Sequence, residues 1–194
     1  MISDLTLTVA LRGPDPTALT AYYALTHRLN YAEKLAALER RDVWRLQVEA
    51  SGIAEALALA GSWITRSNRF VNPNKHVYEL AAGRGAGTGV GAGGRGSGRV
   101  AWVVAWSEPD IEGESAVRLI HARFGGKELA SVRRAEVWML RFGAGVNPVE
   151  VLQLGGEIAV ARSRMRGLLT NPHFQSVAVV RAASPAAAAA GAWD

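Results

Sequence analysis

Four histidines, His27, His76, His121 and His173, are the side chains of this chain best suited to proton transfer near neutral pH. None of them belongs to a nucleophile or metal pattern. Cysteine is absent, which removes thiol catalysis, thiolate zinc sites and disulfides together and suits a cytoplasmic protein. No His-x-x-x-His or similar spacing offers a metal site, and Ser107, Ser115 and Ser163 lack the surroundings of a nucleophile elbow. The run Gly83-Arg84-Gly85-Ala86-Gly87-Thr88-Gly89 resembles a nucleotide loop only superficially. A phosphate loop stands between a strand and a helix, so that helix N–H groups meet the phosphate, whereas here a strand follows and no Gly-Lys-Ser/Thr occurs. The residues therefore point to no catalytic constellation, cofactor or metal.

The elements that would position these residues come in a regular order. Leu5 to Leu11 alternates apolar and polar residues, as a half-buried strand does. Asp15 then caps a helix with Pro16 at its first position, running to about Asn30. Leu35 to Glu39 and Val43 to Val48 read as two short strands flanking a charged turn, Arg40-Arg41-Asp42. A helix from Ile53 to Phe70 follows, with Ile53, Leu57, Ala60, Ile64 and Ser67 at helical spacing. Asn72-Pro73 ends it, and Val77 to Leu80 forms a closing strand. Beyond the glycines the same order recurs. Val100 to Trp106 is a strand, and Ile111 to Phe124 is a helix opened by Pro109-Asp110. Leu129 to Arg133 and Val137 to Phe142 are paired strands. A long helix capped by Asn147 carries Val151, Leu154, Ile158, Ala161, Met165 and Leu168 on one seam until Asn171-Pro172. Val177 to Val180 is the last strand, and the alanine-rich end from Ser184 reads as a mobile tail.

The recurrence is a duplication. At an offset of 94 residues, Leu25 to Leu46 aligns without a gap to Leu119 to Leu140. Eight of the 22 pairs are identical, among them His27/His121, Arg40/Arg134, Val43/Val137 and Trp44/Trp138. The closing motifs match at an offset of 99. Domain organisation follows: a first repeat over 1–82, a glycine-rich linker over 83–98, a second repeat over 99–182 and an alanine-rich tail over 183–194. Each β-α-β-β-α-β repeat predicts an α+β, ferredoxin-like unit, a four-stranded antiparallel sheet with two helices on one face. Bulky apolar residues of both parities in Val100 to Trp106 ask for a cover on the second face. Two units pressed sheet against sheet, as an intramolecular pseudo-dimer, would supply it.

The second half resembles the PurS family, the small subunit of phosphoribosylformylglycinamidine synthase. The features are the strand Val100 to Trp106, the helix start Pro109-Asp110-Ile111-Glu112-Gly113-Glu114-Ser115-Ala116-Val117, the pair Val132-Arg133, and the helix end Leu168-Leu169-Thr170-Asn171-Pro172. The first half is similar through Asp15-Pro16, Val43-Trp44-Arg45-Leu46 and Asn72-Pro73. One departure is shared by both halves: the family's Gly-Lys turn is Ala135-Glu136 here and Arg41-Asp42 in the first repeat, a positive charge turned negative. The resemblance implies a non-catalytic subunit of the ATP-dependent amidotransferase complex of purine biosynthesis, bridging its glutaminase and synthetase subunits, with ATP, magnesium and glutamine bound by those partners. It also implies a dimer fused into one chain.

Candidate partner contacts are Arg40, Trp44, Arg133, Arg134 and Trp138, together with Asn72 and Asn171 at the two turns. The tryptophans either fill the core or anchor a subunit contact, where buried Trp is enriched. The arginines either form a solvated turn or meet an acidic patch on a larger partner. A ferredoxin-like module binding a small molecule in another pathway is the alternative function, and association with further copies of the chain stays open. Composition excludes other classes. With 49% hydrophobic and 20% charged residues the chain is no disordered segment, and no apolar run approaches the ~18 residues of a membrane span. Its net charge of +5 builds no basic stripe, so nucleic acid is not an expected partner.

Overall fold

The computed structural model describes residues 1–84, 98–162 and 167–193. The linker expected over 83–98 lies, except at its ends, outside these residues, as does Met165 of the expected helical seam. The fold is mixed α+β, with one six-stranded antiparallel sheet rather than two four-stranded ones. The strands are β1 (Ile2–Leu11), β2 (Leu35–Glu49), β3 (His76–Ala82), β4 (Val100–Trp106), β5 (Leu129–Phe142) and β6 (Ser176–Val180), in the spatial order β3-β1-β2-β5-β4-β6. The helices are α1 (Pro16–His27), α2 (Ile53–Ser67), α3 (Ile111–Phe124), α4 (Val151–Ala159) and α5 (Pro185–Trp193).

The halves therefore meet edge to edge, not face to face. The cause lies in the two segments read as charged turns. Arg40-Arg41-Asp42 contains none of the Gly or Asn residues that a tight hairpin needs for positive φ. The alternation also runs through it unbroken: Leu38, Arg40, Asp42, Trp44, Leu46 and Val48 share one parity, and so do Val132, Arg134, Glu136, Trp138, Leu140 and Phe142. A one-residue break in parity would flip every later side chain to the wrong face. Each pair of short strands is consequently one long strand, and β2 and β5 pair along their whole length, from Leu35↔Phe142 to Val48↔Leu129. β1 then adds to one half of β2, and β4 to one half of β5.

The helices cross over with the strands. α2 of the first repeat and α3 of the second share one core with Leu5, Leu7, Trp44, Leu46 and Leu129. α1 and α4 share another with Val103, Trp138, Leu140 and Leu35. Each core thus draws one helix from each repeat. The cap expected at Asp15 is present, accepting from the N–H groups of Thr17 and Ala18, and Asp110 caps α3 likewise, accepting from that of Gly113. α2 turns inward on Ala56, Ala60, Trp63 and Ile64, while Ile53, expected on that face, is exposed.

Two expected segments differ. The long helix after Asn147 stops at Ala159, because residues 168–170 fold back beside it. Leu168 and Thr170 donate their N–H groups to the carbonyls of Ile158 and Ala159, and Ala161 donates to Thr170. Those carbonyls would otherwise accept from the next helical turn. Gly167 makes the approach possible: its φ is +74°, and a Cβ there would stand 1.6 Å from the Val160 carbonyl oxygen. The second difference is the tail. It is helix α5, and its buried Ala188 and Ala189 lie on the second face of the sheet against Val43, Trp102, Val104, Val137 and Met139. Trp102 donates its indole N–H to the Ala182 carbonyl at 2.9 Å. Where α5 does not reach, that face turns polar: Asp4 accepts from Arg45 (2.9 Å), Gln47 (3.2 Å) and Arg84 (3.1 Å). Among the described residues no helix is long and apolar enough to cross a membrane.

Deleting residues 184–194 should expose the Trp102–Met139 face and cost about 2–4 kcal/mol, the scale of uncovering one or two large apolar side chains. Urea denaturation would read this as a lower midpoint. An unchanged midpoint would show that α5 contributes no net cover.

Candidate functional site

The chemistry-bearing residues converge at the middle of the β2·β5 ladder. Asp42 and Glu136, which are 94 residues apart, are direct cross-strand partners. Residues related by the duplication thus face each other across a local two-fold. The next positions out confirm it: Arg40 lies opposite Trp138, and Arg134 opposite Trp44. Each guanidinium stands over the opposing indole, at 5.9 Å for Arg40 on Trp138 and 5.6 Å for Arg134 on Trp44. This is cation–π distance.

Two carboxylates in register on neighbouring strands repel each other, and the arginines offset that. Arg134 reaches Asp42 at 2.8 Å and Glu136 at 3.3 Å. Arg40 reaches the α1 cap Asp15 at 2.8 Å and Glu136 at 3.5 Å. Asp110, the α3 cap, accepts the backbone N–H of Arg134 at 2.6 Å. Both helix starts are in this way tied to the central ladder. Burial works against the charge of Arg40, but Asp15, Asp42 and Glu136 outweigh it and hold its pKa above the ordinary arginine value. The same holds for Arg134, through Asp42 and Glu136. Burial likewise opposes ionisation of Asp15, yet the Arg40 hydrogen bond and charge, with the N–H groups of Ala18 and Thr17, leave its pKa below the usual carboxylate value.

Four of the seven residues expected to contact a partner come together here: Arg40, Trp44, Arg134 and Trp138. The tryptophans are 4% and 3% exposed, so their rings belong to the two cores. Arg133 points to the other face, over the Trp193 ring at 5.7 Å. Asn72 and Asn171 stand at the turns into β3 and β6, where their carboxamide oxygens accept from the N–H groups of Asn74 and His173. Beside each turn a small cleft opens at the end of a first strand. One is lined by Leu11, Asp15, Arg40, Asp42 and His76, the other by Trp106, Asp110, Arg134, Glu136 and Gln175. They are counterparts: His76 and Gln175 are 99 residues apart, and each accepts the N–H of its own turn asparagine.

Sequence reading missed Asp15, Asp42 and Glu136 as members of this cluster, although the signal was present in the paired Asp caps and the fixed Asp/Glu at the offset of 94. His27 and His121, identical at that offset, are not structural counterparts. The buried faces Ala18, Ala21, Leu25 and Gly113, Ala116, Ile120 show that α1 and α3 correspond at an offset of 95. The His121 Nε2–H donates to the Leu129 carbonyl at 2.9 Å, whereas the His27 ring lies beside the Thr26 hydroxyl. Among the described residues no group of three or more His, Cys, Asp or Glu is placed to hold a metal ion.

Two outcomes test the network. Arg134→Met leaves Asp42 and Glu136 facing each other without their shared cation, and should cost about 1–3 kcal/mol in urea denaturation, a partly solvated version of the penalty for breaking a buried pair. The depressed Asp15 pKa contributes stability that is present above its unfolded value of about 3.9 and is lost as pH falls through its lower folded value. In Arg40→Gln, stability should accordingly fall less steeply below about pH 4 than in the parent. Parallel acid limbs for the two proteins would mean that the Asp15–Arg40 pair is not linked to folding.

No family model matches this chain, and the comparisons with curated proteins and with solved structures likewise find no match.

Proposed function

We propose that the chain is a non-catalytic assembly subunit of the PurS kind, a fused pair that bridges the glutaminase and synthetase subunits of phosphoribosylformylglycinamidine synthase. The observation that carries this reading is the local two-fold at Asp42 and Glu136. A subunit that pairs with its own copy places equivalent residues opposite each other on the axis, and a tandem fusion of two such subunits keeps that pairing within one chain.

On this reading each end of the sheet is a ferredoxin-like unit with exchanged parts. The strands β3-β1-β2-β5 with α2 and α3 have the layout of a split βαβ unit. Its first helix and one edge strand come from the other repeat. The same description fits β2-β5-β4-β6 with α1 and α4. Such an interlocked pair presents two similar outer surfaces in a fixed relation, which suits a bridge between two larger subunits. The turns Asn72-Pro73 and Asn171-Pro172 then lie at matching places on the two surfaces.

Purification with the glutaminase and synthetase subunits of the same host tests this directly. Gel filtration with nucleotide and glutamine present should yield a ternary complex that is lost without glutamine. Absence of any complex under those conditions would overturn the assignment.

A further inference from the structure

The turns into β3 and β6 are built bond for bond alike. In the first, the Asn72 carbonyl accepts the N–H groups of Lys75 (3.0 Å) and His76 (2.8 Å), and the Asn72 side chain accepts that of Asn74 (3.0 Å). In the second, the Asn171 carbonyl accepts those of Phe174 (3.1 Å) and Gln175 (3.0 Å), and the Asn171 side chain that of His173 (3.0 Å). A fourth bond closes each turn: the backbone N–H of the asparagine donates to the side chain four residues on. The acceptor is His76 Nδ1 in the first turn, at 3.0 Å, and Gln175 Oε1 in the second, at 3.1 Å.

That one difference has a chemical consequence. A backbone N–H only donates, so His76 Nδ1 presents its lone pair and the proton of the neutral ring sits on Nε2. An imidazolium carries a proton on both nitrogens and accepts at neither. Protonation of His76 therefore sets two donors against each other. A carboxamide oxygen keeps its lone pairs through the same range. His173 enters the second turn through its backbone N–H, not its ring.

The charges around the His76 ring are already engaged. The half-buried ring shares its cleft with Asp15 at the start of α1 and with Arg40, Arg41 and Asp42 of β2. Asp15 pairs with Arg40, Asp42 with Arg134, and Arg41 with Glu39. Arg12, just past β1, donates its backbone N–H to the Lys75 carbonyl and its guanidinium to the Pro73 carbonyl. It holds the turn on β1 and, like the exposed Lys75, adds positive charge there.

We infer that the first turn is a proton-sensitive latch on the edge strand β3, and that its counterpart at β6 is not. On acidification from about pH 8 to about pH 5, the range in which histidine changes charge, the His76 ring leaves the Asn72 N–H. The turn loosens while the bonds from Arg12 keep it on the sheet. The outer surfaces of the two repeats thus respond differently to acid. This holds whether or not the chain bridges larger subunits.

The test is NMR of the full chain between about pH 8 and about pH 5, above the titration of ordinary carboxylates. At the upper end, long-range 1H–15N spectra of the His76 ring should show the proton on Nε2. On acidification, exchange of the Asn72 amide with water, taken relative to that of Asn171, should quicken about three- to tenfold, as the loss of one hydrogen bond implies. The change should follow the titration of the ring. His76→Gln gives the first turn the acceptor of the second and should hold the ratio constant. His76→Phe, which has no acceptor, should show the quickened exchange already at the upper end. A neutral ring protonated on Nδ1, a constant ratio in the parent, or the same change in His76→Gln would each overturn the inference.

Discussion

Everything in this molecule depends on two like charges being held face to face. Asp42 and Glu136 meet at the centre of the longest ladder in the sheet, where their repulsion would part the strands without Arg40 and Arg134. Those arginines do three things together. They neutralise the carboxylates, they lie over the two core tryptophans, and they reach the Asp caps of α1 and α3, one by side chain and one by backbone. Ladder, cores and helix starts are therefore coupled through one short row of side chains. An aliphatic replacement of the whole row is conceivable on energetic grounds, since buried ion pairs seldom outdo good apolar packing. What the charged row supplies is register, because only one alignment of β2 on β5 brings each arginine to a carboxylate and an indole at once.

Much of this was legible from residue types. The outer strands, the cap at Asp15, the start of α3 at Pro109-Asp110 and the turns at Asn72-Pro73 and Asn171-Pro172 rest on local chemistry, and local chemistry decides them. The continuity of β2 and β5 was legible too, in the unbroken parity through Arg40 and Arg134, but a cluster of charges reads as a turn when burial is unknown. Only the partner strand explains why those charges sit in mid-sheet. The alanine-rich end shows the opposite difficulty. Alanine has high helix propensity yet little surface to bury, so nothing in it announces that Trp102 and Met139 wait on the sheet to receive it. The early end of α4 depends on the return of residues 168–170, which a helical pattern does not reveal.

The two repeats also differ unevenly along their length. β2 and β5 correspond at an offset of 94, the first helices at 95, β1 and β4 at 96, and the Asn-Pro turns at 99, so the length differences have collected where the chain leaves the central ladder. The central ladder kept its charges and its tryptophans. Around the cores the repeats differ: Phe70 and Arg69 beside Trp44 correspond to Leu169 and Leu168. The central ladder is thus alike in the two halves while the residues around their cores differ.

The crossing of helices between repeats has a consequence for how the chain comes into being. When only the first repeat has left the ribosome, β2 carries a long free edge, and α1 has neither β5 nor α4 to lie on. Its core is half built, and the missing strand is identical in plan to β2 itself. A second nascent copy offers that strand at the same moment, with Asp42 opposite Asp42 and the same arginines to hold them. Free edges of this kind are the usual entry to swapped and aggregated species. Having both halves in one chain answers that competition by raising the effective concentration of the right partner.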